Sequence, residues 1–90
     1  MSHVVKAWND MRIAYQVRYS VQGEAVFMLE QEPDKPVELA TERGRFQEME
    51  YVLQEVFGLT EEQCREVIRN GGVTEKDIEN EQLCKEHSNG

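Results

Sequence analysis

Between Met11 and Val21 the chain alternates: Met11, Ile13, Tyr15, Val17, Tyr19 and Val21 stand against Arg12, Ala14, Gln16, Arg18 and Ser20. Apolar residues at period two, with β-branched and aromatic side chains among them, mark a strand with one buried face and one wet face. A strand needs neighbours, and the flanking sequence offers them. Val4 to Trp8 reads as a short strand joined by an Asn9-Asp10 turn. Ala25 to Gln31 reads as a third strand after the glycine turn Gln22-Gly23-Glu24. Val37-Glu38-Leu39-Ala40 fits either a fourth, edge strand or the lead into a helix. Between them, Glu32-Pro33-Asp34-Lys35-Pro36 interrupts any ladder, because proline donates no hydrogen bond and biases its predecessor away from helix.

From about Thr41 to Phe57 the period changes. Phe46, Met49, Val52, Leu53, Val56 and Phe57 fall on one stripe of an α-helix, and Gly58 follows as the stop. Two further starts resemble each other. Thr60 and Gln63 form a capping box with Leu59 and Cys64 as its hydrophobic staple, and Thr74 and Asp77 repeat it with Val73 and Ile78. The first of these helices runs over 60–69, with Cys64, Val67 and Ile68 on its apolar side. The second has only Ile78 and Leu83 to bury. The predicted fold is therefore α+β, a small antiparallel β-meander of three or four strands packed on one long amphipathic helix and followed by two short capped helices. Ninety residues allow one domain, assigned to 1–87 with a disordered tail at 88–90.

No basic segment followed by an apolar run opens the chain, and no stretch approaches the roughly 20 apolar residues of a membrane span. The expectation is a cytoplasmic protein with Cys64 and Cys84 as free thiols.

The chain carries a net charge of −8, which argues against affinity of the whole surface for nucleic acid or anionic lipid. The charge is unevenly placed. Residues 1–45 hold six bases and seven acids, a net of −1, and residues 46–90 hold four bases and eleven acids, a net of −7. The acidity belongs to the helical half.

Catalytic constellations are scarce. There is no Gly-rich phosphate loop, no Gly-x-Ser-x-Gly and no His-Glu-x-x-His. Cys84 and His87 at i, i+3 would share a helix face, and with Cys64 and His3 they make a Cys2His2 inventory. Zinc sites show paired short spacings, and Cys-x2-His occurs once, so no metal, cofactor or catalytic role is assigned.

The expected function is that of a non-enzymatic interaction protein, a regulator, inhibitor or assembly subunit, binding a protein partner. Its surface would be the acidic helices, with Glu48, Glu55, Glu61, Glu62 and Glu66, or a sheet edge. Homodimerisation through an open edge is a further expectation. The alternative is a nucleic acid or other anionic ligand held on the wet sheet face by Arg12 and Arg18, with Lys6 alongside.

Overall fold

The computed structural model describes the backbone of residues 3–88 and the side chains of residues 4–83. Among them are four helices and no strand: α1 (His3–Glu30), α2 (Pro36–Glu55), α3 (Glu61–Asn70) and α4 (Glu75–Ser88). The β-meander does not exist, and the α+β assignment is replaced by an all-helical fold. The three predicted strands and both turns between them fall, all but Gln31, in one continuous helix.

The reason lies in which side chains of α1 are buried. Its inward seam is Arg12, Gln16, Tyr19, Gly23 and Val26, spaced four, three, four and three residues apart. Such spacing lies on one face of a helix, but only Tyr19 and Val26 on it are hydrophobic, so hydropathy cannot find it. The alternating residues are divided. Tyr19 is buried, Ile13 and Tyr15 are half-buried, and Met11, Val17 and Val21 face water. The alternation was real in composition and had no single buried face behind it.

α1 and α2 are joined by the 31–35 turn, opened by Gln31 N–H to Met28 O at 3.1 Å and Glu32 N–H to Leu29 O at 3.0 Å. Pro36 begins α2 in its first turn, where the missing N–H has no intrahelical acceptor to lose and the fixed φ suits the helix. Val37–Ala40 is thus helical rather than a strand, and α2 starts ahead of the predicted Thr41.

The two long helices meet through aromatic and polar contacts along their length. Trp8 packs on Phe57 with ring centroids 5.0 Å apart, and Tyr19 stacks on Phe46 at 4.5 Å and 5°. Gln22 Nε2 donates to the Glu42 carbonyl at 2.9 Å, and Arg43 pairs with Glu30 at 2.7 Å. Gly23 has no side chain because a Cβ there would stand 2.9 Å from the Phe46 ring.

The predicted stripe of α2 does face the core. Leu53 is fully buried and Phe46, Met49 and Phe57 surround it, while Val56 is exposed. α3 closes this core with Cys64 and Val67, and Leu59 enters from the preceding turn. The capping box expected at Thr60 is present in both directions, at 2.9 and 3.1 Å. α3 ends on left-handed Gly71, with Gly72 N–H bonded to Val67 O at 2.8 Å.

Two glycines make opposite predictions. Gly72 has φ +130°, and a Cβ on it would lie 2.8 Å from Val17 Cγ2 and 3.2 Å from its Cα; Gly72→Ala is expected to cost about 1–3 kcal/mol from strain and crowding. Gly44 lies inside α2 with open space around it, so Gly44→Ala should stabilise by about 0.5–1 kcal/mol. Urea denaturation of the two variants checks both signs.

Candidate functional site

The orientation of α1 decides which of its faces is exposed, and a buried polar cluster helps to set that orientation. Gln16 is fully buried. Its amide donates to Gly72 O at 3.0 Å and to Asp77 Oδ2 at 3.0 Å, and its carbonyl oxygen accepts from Arg12. Arg12 grips the same carboxylate with both Nη atoms, at 2.9 and 3.2 Å. Asp77 also caps α4: its carboxylate accepts from Thr74 N–H at 3.0 Å, and its own N–H donates to Thr74 Oγ1 at 3.1 Å. The predicted second capping box is therefore also the bond between α4 and α1. Burial of Asp77 alone would raise its pKa, but the hydrogen bonds from Arg12, Thr74 and Gln16, together with the arginine's charge, hold it well below the usual carboxylate range.

With that face turned in, the opposite face of α1 is turned out. It carries Val4, Ala7, Met11, Ala14, Arg18, Val21, Ala25 and Met28, alternating four and three residues apart. This is a heptad seam, apolar everywhere except at Arg18. All of it faces water apart from the half-buried Ala25, with Val21 61% and Met28 62% exposed. At 1.5 Å per residue it runs roughly 36 Å.

Beside the seam, between α1 and α2, lies a groove of about 550 Å³. Tyr15, Val21, Met49 and Val52 form its apolar lining, and Arg18, Arg45 and Glu48 supply charges of both signs. The seam and groove together form the candidate site, a surface able to bind an amphipathic helix.

The residues singled out in the sequence are dispersed by the fold. Arg12 is consumed by Asp77, whereas Lys6 and Arg18 are exposed. Being six residues apart in a helix, Lys6, Arg12 and Arg18 point about 120° from one another, so they share no face and the expected anion site does not form. Glu48 lies in the α1–α2 groove, and Glu55, a heptad further along, is exposed. Glu61 and Glu62 both face Arg65, at 3.9 and 3.1 Å, and Glu66 accepts from the Glu75 N–H at 3.0 Å. The α3 acids are thus partly neutralised or occupied.

Cys64 is a free thiol inside the core, its pKa pushed up by burial and by Glu50. The side chains of His3, Cys84 and His87 lie outside the described residues. Among the described residues no cluster of three potential metal ligands occurs, and no helix is long and apolar enough to cross a membrane. Sequence reading missed Gln16 and Asp77 as a pair, since nothing local links positions 61 residues apart. The heptad seam was visible as spacing but was masked by the alternation laid over it.

Asp77 leads to a pH prediction. Its folded pKa lies below the unfolded value near 3.9. The stability it contributes is therefore complete above about pH 5 and is lost progressively as acid carries the pH through 3.9 toward the folded value. Asp77→Ala should cost about 2–4 kcal/mol at neutral pH by stranding Arg12 and Gln16. It should also remove this share of the acid sensitivity, as read by denaturation across a pH series.

Comparison of the chain with protein-family models, with curated proteins and with solved structures finds no match.

Proposed function

We propose that the protein works by contact, as a non-enzymatic binding module or assembly subunit that docks a helical segment of a protein partner along the outward seam of α1. The observation that carries this reading is the exposure of that heptad seam to water over seven turns of helix. A long apolar stripe exposed on a protein surface, here broken only at Arg18, is a recognition feature, and a heptad stripe accepts another helix by knobs-into-holes packing.

The α1–α2 groove supports the same reading. Its apolar lining offers a second contact for the docked helix, and Arg18, Arg45 and Glu48 provide charges that select orientation. The seam is a better docking surface than the acidic half, because Glu61, Glu62 and Glu66 already engage Arg65 and the start of α4. A reducing cytoplasm suits a chain that keeps Cys64 as a buried free thiol.

The seam can be tested without disturbing the core, since Met11 and Val21 are both exposed. Affinity purification with the tagged chain should recover a partner whose binding falls at least about tenfold in the Met11→Glu, Val21→Glu double variant. The helical circular-dichroism signal should stay unchanged, because exposed substitutions of this kind alter stability by only about 0.5 kcal/mol. Undiminished capture by a folded double variant refutes the seam as the docking surface.

A further inference from the structure

We infer that the helix docked on the α1 seam is α1 of a second copy of this chain, paired antiparallel about a two-fold axis at Ala14. The inference rests on the reading of the seam as a docking surface and adds the identity and direction of the occupant.

Charge carries the argument. The chain as a whole is −8 and two copies repel over most of their surface. α1 is the exception. Its bases Lys6, Arg12 and Arg18 balance its acids Asp10, Glu24 and Glu30, so it is a face on which two copies can meet without net repulsion.

Two of these charges are already used inside the fold, Arg12 by Asp77 and Glu30 by Arg43. Lys6, Asp10, Arg18 and Glu24 are exposed or nearly so and have no ionic partner among the described residues. An antiparallel pair centred on Ala14 brings residue i level with residue 28 − i of the other copy. Asp10 then stands level with Arg18 of the second copy, about 40° to either side of the facing direction, which is within reach of a guanidinium. Lys6 stands within about 3 Å, along the axis, of the level of Glu24, and both lie on the same rim. All four unpartnered charges of α1 find opposite signs, twice each by symmetry.

The apolar residues agree with this register. Ala14 meets Ala14 at the axis and Ala7 meets Val21, so small residues at the centre permit close approach. A parallel pair in register would set Lys6 against Lys6 and Arg18 against Arg18. Arg18, the one polar residue in the seam, thereby fixes direction and register, the use to which a single polar core position is put in coiled coils.

The test is sedimentation of the full chain over a range of protein concentrations, with single and paired charge reversals. The natural chain should dimerise, and Asp10→Arg alone and Arg18→Asp alone should each weaken the dimer at least about tenfold. The two reversals together should restore it to within about threefold of the natural chain. Ala14→Cys, in a Cys84→Ser background where the remaining Cys64 is buried, should cross-link between chains on mild oxidation because the axis sets the two Cβ atoms face to face. A natural chain that sediments as a monomer at every concentration overturns the second copy as occupant. A dimer indifferent to both reversals overturns the antiparallel register. In either case, loss of capture by the Met11→Glu, Val21→Glu variant would leave the docking reading standing.

Discussion

Asp77 receives hydrogen bonds from Arg12, from Gln16 and from Thr74 at the cap of its own helix, and these bonds tie α4 to α1. Gln16 extends the cluster to the carbonyl of Gly72, at the turn between α3 and α4. A buried carboxylate, guanidinium and amide are tolerated only when each finds partners with good geometry, and here they satisfy one another. The cluster holds α4 against α1, and it fixes the rotation of α1 about its own axis.

That rotation decides which face of α1 is exposed. α1 has two seams of heptad spacing on opposite faces. The mixed one, from Arg12 to Val26, is inside, and the more apolar one, from Val4 to Met28, is outside. Hydrophobic burial alone would favour the reverse. The inward choice is supported by specific partners: Asp77 for Arg12 and Gln16, the Phe46 ring stacked on Tyr19, and the space that Gly23 leaves for that ring. The apolar seam is then left facing water. The charges of α1 balance one another, while the chain as a whole carries −8.

The fold was legible wherever local chemistry decides structure. Thr60 with Gln63, and Thr74 with Asp77, announce helix starts because the capping bonds lie within one turn. Leu53, Phe46 and Met49 announce the buried side of α2 because that side is apolar. Cys64 and Val67 were likewise readable as core. α1 was not legible. Its apolar residues fit period two and a heptad at once, and only two of the five residues on its buried seam are hydrophobic, so both signals pointed away from the face that packs.

The candidate site followed the same division. Arg18 and Glu48 stand out in the sequence as charged residues, but only the antiparallel packing of α1 on α2 brings them to one groove. Lys6, Arg12 and Arg18 would share a face on a strand, and the helix turns the three apart. By itself the sequence determined the capped helix starts, the apolar stripe of α2, the glycine stops and the acidity of the second half, all set by neighbours within a turn or by composition. Only the tertiary structure decided that residues 3–30 form one helix and which of its faces is hidden. The deciding partners, Asp77 and Phe46, lie far along the chain, and their bonds to Arg12, Gln16 and Tyr19 exist only once the helices have packed.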